Sequence, residues 1–305
     1  MSKINTFIKV FLNKPSEIPK LVVVNLAKVG VLNWMSDASY LKLYYFIIIG
    51  KRLNLNNPIT FNEKLQWLKL HNRNPDYTMK VDKYAVRKYI EDTIGIRYLI
   101  PLLGVWEKFD DIDFECLPNQ FVLKCTHDSG SFYICKDKNN IDRNMLKKKY
   151  NNNMKSNLFW HGREWPYKDA VPRIICEEFL EEEICDYKFY CFNGIAKFFY
   201  IAKGDNTKGT LKMNFYDMNW NRCPFYRNDH KPLDYDPIRP KNFEEMIDIV
   251  NKLCGGYSFV RVDLFNVAGK IYFGELTFSP GSGFTPFSPP EYEQNIGSWI
   301  NLPNC

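Results

Sequence analysis

The chain lacks several features, and each absence removes a class of protein. No apolar run in its 305 residues reaches the ~20 residues needed to span a bilayer. The stretch from Leu21 to Ala27 is too short, follows Pro15 and Pro19, and has no small-residue cleavage site, so no signal peptide is expected. There are nine cysteines, but none in CxxC spacing, and the count is odd. That argues against a disulfide framework and a zinc site, and for buried free thiols in a reducing cytoplasm. No long Lys/Arg run or nucleic-acid motif accompanies the net charge of +6. Nucleic acid is therefore not an expected partner, whereas an anionic substrate suits the balance. No internal repeat is visible.

What is present is a soluble, globular composition, 45% hydrophobic and 25% charged, in a chain long enough for two or three subdomains. Residues 1–36 form a basic leader in which Lys3, Lys9, Lys14, Lys20 and Lys28 face only Glu17. Ile4, Phe7, Ile8, Val10 and Phe11 give it a short amphipathic helix. Packing on its own domain and peripheral membrane contact both fit that pattern.

Helices are predicted over 37–50, with Ser36 or Asp37 as cap and Gly50 as stop, and from Thr60, where Glu63 completes a capping box. Further helices are predicted over 76–94, 242–253 and 291–300. Strands are predicted over 121–126 and 132–135, with a small loop at 127–131 between them, and over 173–180. Two more, 186–192 and 195–201, are joined by Asn193-Gly194, and a meander covers 214–217 and 220–223. Glu181, Glu182 and Glu183 read as a solvated loop. The order implies an α+β fold with antiparallel sheets.

The stretch that carries chemistry is 261–277, a hairpin with Ala268-Gly269 at its turn. A three-residue loop closes Asn266 on Lys270, setting Arg261 opposite Glu275 and Asp263 opposite Phe273. Arg261, Asp263, Glu275 and Thr277 then share one face, and Val262, Leu264 and Leu276 the other. A two-residue loop would put the carboxylates on opposite faces. Two carboxylates with no neutralising lysine form a hard-oxygen pattern of the kind magnesium takes together with substrate phosphates. Solvated acids, or acids paired with Arg261, remain the alternative.

Lys124 sits mid-strand and is followed by Asp128-Ser129-Gly130-Ser131, a loop whose backbone N–H groups could receive a phosphate. Ordinary turn chemistry reads the same loop equally well. His161 and Arg163 stand in an aromatic wall at 160–167, where a substrate contact and simple packing are both open.

Taken together, Leu53-Asn54-Leu55, Thr60 to Lys64, Trp67 to Leu70, Lys124 to Gly130, Gly162 to Tyr167 and Gly274-Glu275-Leu276-Thr277 resemble the ATP-grasp superfamily. The branch they are most similar to is associated with teichuronopeptide and capsular polysaccharide synthesis. The resemblance implies ATP held between two α+β lobes with antiparallel sheets. It divides the chain into a helical lead-in (1–75), a small lobe with the phosphate loop (76–180) and a C-terminal lobe with the metal hairpin (181–305).

The resemblance also implies residue roles. Lys83 and Lys124 would be phosphate-side lysines, and Gly130 and Ser131 would belong to the closing loop. The segment Glu177-Glu178-Phe179-Leu180 would be the hinge against adenine, with Asp186 holding the ribose. Asp263 and Glu275 would bridge Mg2+, with Thr277 where the superfamily usually carries Asn. Arg261 would stabilise charge on an acyl-phosphate, and Gly281, Ser282 and Gly283 would lie near the acceptor.

The activity implied is an ATP-dependent carboxylate–amine ligase joining a carboxylate-bearing sugar or glycan to a small amine. The implied place is cytoplasmic, with contact to the inner membrane face or to other polysaccharide enzymes left open. The rival readings are a glycosyltransferase of the same pathway, a glycan kinase and a silent binding module.

Overall fold

The computed structural model describes residues 18–180, 184–204 and 209–303. The predicted amphipathic helix around Ile4 to Phe11 and the loop Glu181-Glu182-Glu183 lie outside the described residues. Among those described, no helix is long and apolar enough to cross a membrane.

Two antiparallel sheets organise the chain. The smaller contains β1 (Leu102–Trp106), β2 (Phe121–Cys125), β3 (Tyr133–Cys135) and β4 (Ile174–Glu178) in the order β1-β4-β2-β3. The larger contains β5 (Cys185–Phe192), β6 (Ile195–Lys203), β7 (Lys212–Asp217), β9 (Phe259–Val267) and β10 (Lys270–Thr277) in the order β10-β9-β5-β6-β7. A two-residue strand, β8 (Tyr226–Arg227), pairs with β11 (Phe287–Ser288) beside them. As predicted, β5 and β6 turn at Asn193-Gly194, both with positive φ, a backbone that matches the twist of a tight hairpin.

Period-two alternation decides what each face of the larger sheet meets. Tyr187, Phe189 and Cys191 point into a core shared with Val262, Leu264 and Leu276 and covered by helix Phe243–Leu253. Tyr190 and Phe192 point the other way, against helix Phe61–His71 and helix Glu291–Ser298. Lys188, Arg261 and Asp263 lie on this second face, beyond the edge of its aromatic cluster. The smaller sheet packs on helix Arg143–Asn153 through Leu146 and Tyr150.

Ser36 caps helix Asp37–Ile49, and Gly50 ends it in the left-handed region. The Thr60–Glu63 capping box is also formed. The helix predicted over 76–94 is two helices, Asp76–Val81 and Val86–Thr93. Asp82 breaks it, because its Oδ1 accepts from the backbone N–H of both Tyr84 and Ala85 at 2.8 Å and offers the chain a local alternative to helix. Lys83, released at the break, donates its N–H to the Thr126 carbonyl at 3.1 Å. Tyr77, Val86 and Ile90 pack into the core of the larger sheet. The segment 220–223 forms only an isolated bridge, Tyr216 to Arg222, and not a strand.

Among the described residues the lead-in opens with helix Ile18–Lys28 and helix Asp37–Ile49; Tyr40, Leu41 and Tyr45 of the second cluster with Leu53 and Phe284. Phe61 then pins the chain to the larger sheet, its ring centroid 5.1 Å from that of Phe259 and 5.5 Å from that of Phe287. Phe61→Ala should lower stability by about 3–5 kcal/mol in denaturant unfolding. A loss under about 1 kcal/mol would mean that helix Phe61–His71 is not a fixed part of the core.

Candidate active site

The hairpin of β9 and β10 has a two-residue loop, and the three-residue expectation was wrong. Ala268 and Gly269 both have positive φ, and Val267 pairs with Lys270. Continued regularly, that register would turn the two carboxylates to opposite faces. A β-bulge at Gly274 undoes the error: past it, Asp263 lies opposite Glu275 and Arg261 opposite Thr277. The four side chains therefore share a face after all, by a different register. Glycine suits the bulge: a Cβ at Gly274 would stand 3.1 Å from the Asp263 carbonyl oxygen and 3.3 Å from the Asp263 Cβ, close enough that the facing strand would have to give by a few tenths of an ångström.

Charge is concentrated at this point. Arg261 donates from Nε to Asp263 Oδ1 at 2.6 Å, and from Nη2 to Asp263 Oδ2 and Glu275 Oε1, both at 2.7 Å. The same Nη2 reaches Thr277 Oγ1 at 2.9 Å, and the Thr277 hydroxyl donates to Glu275 at 3.0 Å. Lys188, on the neighbouring β5 and in register with Asp263, donates to Asp263 Oδ2 and pairs with Asp186 at 2.8 Å. The expectation of acids without a neutralising lysine is thus corrected. Lys188 had been read only as a strand residue, although its place mid-strand between Tyr187 and Phe189 matched that of Lys124.

Burial acts on Glu275, Arg261 and Asp186. It disfavours charge on Glu275, but Arg261, Lys188 and Lys83 outweigh it and hold the carboxyl down at about 2. Arg261 is likewise pushed down by burial and raised overall by Asp263. Burial raises Asp186 against the pull of Lys188.

Across from the hairpin stands the smaller sheet. A cleft of about 370 Å³ brings together Lys83, Lys124, Gly130 and Ser131 from that side with Arg261, Asp263 and Glu275 from the other. Lys188, Arg227 and His230 also line it, three residues that were not singled out as site residues in the sequence. Lys83 Nζ donates to the Asp128 carbonyl. Lys124 donates to Glu177 Oε2 at 2.6 Å, and Arg87 reaches the other oxygen of that carboxylate at 3.1 Å. Within the loop, Ser131 Oγ accepts from the Cys125 N–H at 3.1 Å and donates to Asp128. Gly130 has φ +84° with open space beside it.

The remaining candidates spread outward. Glu177 borders the cleft through its pair with Lys124, while Glu178 is exposed and its N–H donates to the Pro101 carbonyl at 3.0 Å. Leu180 packs near Phe265, and Asp186, the second residue of β5, has a buried Oδ1 without a hydrogen-bond partner. Gly281 and Ser282 line a separate cleft, and Gly283 lies against Gln66.

Arg163 is not brought to the site. It is 1% exposed, ends helix Phe159–Gly162, and lies 4.5 Å from the ring centre of Tyr40 and 4.6 Å from that of Trp160. Its Nε is 3.5 Å from Asp37. Of its two open readings, the structure favours packing: it anchors the lead-in.

A family model described as "TupA-like ATPgrasp" matches residues 63–301. The chain belongs to this ATP-grasp family. Its α+β architecture of antiparallel sheets is the ATP-grasp fold, in keeping with the resemblance read from the sequence. No curated protein matches the chain. Among solved structures, D-alanine–D-alanine ligase from Bacillus anthracis is similar at 17% identity, over 72% of this chain and 62% of that one, with a TM-score of 0.42. The corresponding ligase from Helicobacter pylori is 15% identical over 79% and 69%, with a TM-score of 0.41. The ATP-grasp ligase PsnB, complexed with minimal precursor, Mg and ADP, is 10% identical over 84% and 66%, with a TM-score of 0.39. The chain thus spans less than two thirds of the length of the Bacillus anthracis ligase.

The donor set fits a magnesium ion. Asp263, Glu275 and the Thr277 hydroxyl supply hard oxygens, and Mg2+ commonly takes one or two carboxylates and completes its shell with phosphates and water. No group of three or more His, Cys, Asp or Glu gathers among the described residues, as a wholly protein-built cage would need.

Gly274→Ala should weaken Mg2+-dependent ADP binding at least tenfold, or ~1.4 kcal/mol, by calorimetry while far-UV circular dichroism is unchanged. Equal affinity would show that the bulge does not set the facing of the acids. Because the Glu275 pKa is depressed on folding, its stabilisation is complete above its unfolded value of 4.5 and is lost as pH falls toward about 2. Glu275→Gln should therefore lose less stability over that acid range than the wild type, and parallel acid-unfolding curves would contradict the assignment.

Proposed function

We propose that the chain is an ATP-dependent carboxylate–amine ligase that forms an amide through an acyl-phosphate, with a uronic acid of a bacterial surface polysaccharide as the acid partner. One observation carries the reading: the paired acids Asp263 and Glu275, with Arg261 between them, face Lys83, Lys124 and the Gly130 loop across one cleft.

A free carboxylate resists amines because its oxygen leaves poorly, and phosphorylation supplies a leaving group. The acid substrate's oxygen attacks the γ-phosphorus of ATP, and ADP departs. The amine then adds to the acyl carbon and inorganic phosphate leaves, with loss of the amine's proton. This chain's residues position the reactants and balance charge. Lys83 and Lys124 neutralise phosphate oxygens, and the N–H groups of the loop at Gly130 and Ser131 donate to them. The backbone at Glu177 to Leu180 reads the adenine edge, with Glu178 and Asp186 as carboxylates on the nucleoside side. Asp263, Glu275 and Thr277 hold Mg2+, which when bound offsets charge on the phosphate oxygens.

Arg261 is fixed by four hydrogen bonds, so its guanidinium is preorganised for charge developing at the acyl-phosphate. Lys124 must exchange its Glu177 partner for phosphate when nucleotide enters, and Lys188 stands beside Asp263 as a further cation at the same end of the cleft. The polysaccharide assignment draws on the name TupA in the family's description, whose link to teichuronopeptide is a suggestion of the name alone.

Peripheral contact with a membrane is supported by a separate observation. Val29, Val31, Trp34 and Phe46 are exposed on the lead-in, Trp34 at 83%. They stand near Lys28 and Lys42, also exposed, in a stretch whose one described acid, Asp37, pairs with Arg73. Apolar and cationic side chains together suit an anionic lipid surface.

Incubation with ATP, Mg2+ and a mixed uronate–amine pool should yield ADP, phosphate and an amide whose mass is the sum of acid and amine less one water. Glu275→Gln should reduce turnover by at least 10²-fold with the fold intact. UDP release from a UDP-sugar with no ADP formed would instead support the glycosyltransferase, and ADP release with a phosphorylated glycan a kinase.

A further inference from the structure

Two stretches that carry the family resemblance, Trp67 to Leu70 and Gly162 to Tyr167, have no part in the nucleotide chemistry. In the fold they meet. Lys69, on helix Phe61–His71, and Glu164, just past helix Phe159–Gly162, are 3% and 6% exposed. Both hold one residue of the loop Pro280–Gly283, which follows β10. Lys69 Nζ donates to the Ser282 carbonyl at 2.6 Å, and the Ser282 hydroxyl donates to Glu164 Oε1. Ser282 thus bridges a buried cation and a buried anion.

The other bonds close the cluster. Lys69 also donates to the Gly162 carbonyl at 2.7 Å and to Gln66 Oε1 at 2.9 Å, so all three ammonium hydrogens are used. Gln66 Nε2 donates in turn to the carbonyls of Gly283 at 2.6 Å and Ser282 at 3.1 Å. Gly162 packs so tightly that a Cβ there would stand 2.8 Å from the Ser282 Cβ. The loop so held is one that ordinary chain avoids: Gly281, Ser282 and Gly283 have φ of +57°, +52° and +65° in succession. Strain of this kind persists only where the surroundings over-determine it. Burial lowers the Lys69 pKa and raises that of Glu164, and the charge of each opposes the shift in the other. Glu275 and Arg261 of the hairpin also act on Glu164, so the cluster stands within electrostatic reach of the paired acids.

We infer that Lys69 and Glu164 are positioning residues of the ligase: through Ser282 they lock the Pro280–Gly283 loop against the hairpin, and the locked loop keeps water from the acyl-phosphate. This rests on the ligase reading and deepens it. An acyl-phosphate is open to two nucleophiles. The amine gives the amide. Water adding to the same acyl carbon expels inorganic phosphate and returns the free acid, so that ATP is hydrolysed without product. A closed site suppresses the second route. Neither Lys69 nor Glu164 touches a reactant. Each acts through Ser282, one on its carbonyl and the other on its hydroxyl. The two are drawn from separate parts of the chain, so the loop is fixed to the lead-in helix and to the segment before β4 at once.

The test compares the full-length wild type with Ser282→Ala, which removes one half-buried hydroxyl, and with the double variant Lys69→Met/Glu164→Gln. Removing one member of a buried pair strands the other charge, whereas removing both strands none, so the double variant separates positioning from folding. All three proteins should bind ADP with Mg2+ equally well by calorimetry. Given ATP, Mg2+ and the mixed uronate–amine pool, the wild type should form ADP and amide in equal amounts, and both variants should form at least threefold more ADP than amide. Hydrogen exchange of the amides over 280–284 should be at least tenfold faster in both variants. Equal amounts of ADP and amide in both variants, or wild-type exchange rates in both, would overturn the inference. Loss of ADP binding in both would also overturn it, as the mark of a purely structural role. No turnover by the wild type would instead remove the ligase reading, and the exchange rates would then still establish or refute the lock.

Discussion

Everything at the centre of this molecule depends on one buried arrangement of charge. Arg261 lies between Asp263 and Glu275, and Lys188 lies between Asp263 and Asp186. Taking charges out of water costs several kcal/mol each, so such a cluster persists only where opposite charges and hydrogen bonds answer one another. The larger sheet supplies that match. Its register sets Lys188 beside Asp263 and Asp263 beside Glu275, while the opposite face of the same strands is fixed by Val262, Leu264 and Leu276 in the core. A slip of one residue would bury the charges among those apolar side chains, so the core holds the site in register.

The arrangement also explains how the cleft can handle a nucleotide. The acids sit at one wall with their charge partly answered, and Lys83 and Lys124 stand at the other with carbonyl and carboxylate partners. Each cation is already held by a group that an incoming phosphate can replace. Polar contacts are exchanged on binding, and none need be created in an apolar space. The lead-in, anchored by buried Arg163 and by Phe284 against Tyr44 and Tyr45, completes a second cleft next to the first.

Much of this was legible in the residues, and the failures have physical causes. The Thr60–Glu63 capping box, the Gly50 stop and the Asn193-Gly194 turn were readable because each is a local arrangement that needs no tertiary help. The four-residue face Arg261, Asp263, Glu275 and Thr277 was read correctly through a wrong register. Alanine rarely adopts positive φ, so Ala268-Gly269 pointed to the longer loop, and the bulge that compensates was signalled only by a glycine inside a strand pattern at Gly274. The helix predicted over 76–94 failed at Asp82, where a side chain that could cap and one that could stay in solvent look alike until Lys83 meets Thr126. Lys188 escaped notice because its importance comes from pairing with β9, some seventy residues away in sequence. Arg163 stayed open between substrate contact and packing because an arginine among aromatics reads the same whether the cage faces a cleft or the interior.

The most direct test of the account is a crystal structure of the protein with a non-hydrolysable ATP analogue and Mn2+ in place of Mg2+, read by anomalous scattering. The account predicts an anomalous peak bound by Asp263 and Glu275, with Lys83 and Lys124 turned onto the phosphates and Lys124 released from Glu177. A metal bound elsewhere, or a nucleotide seated outside this cleft with Arg261 still bridging both acids, would contradict it.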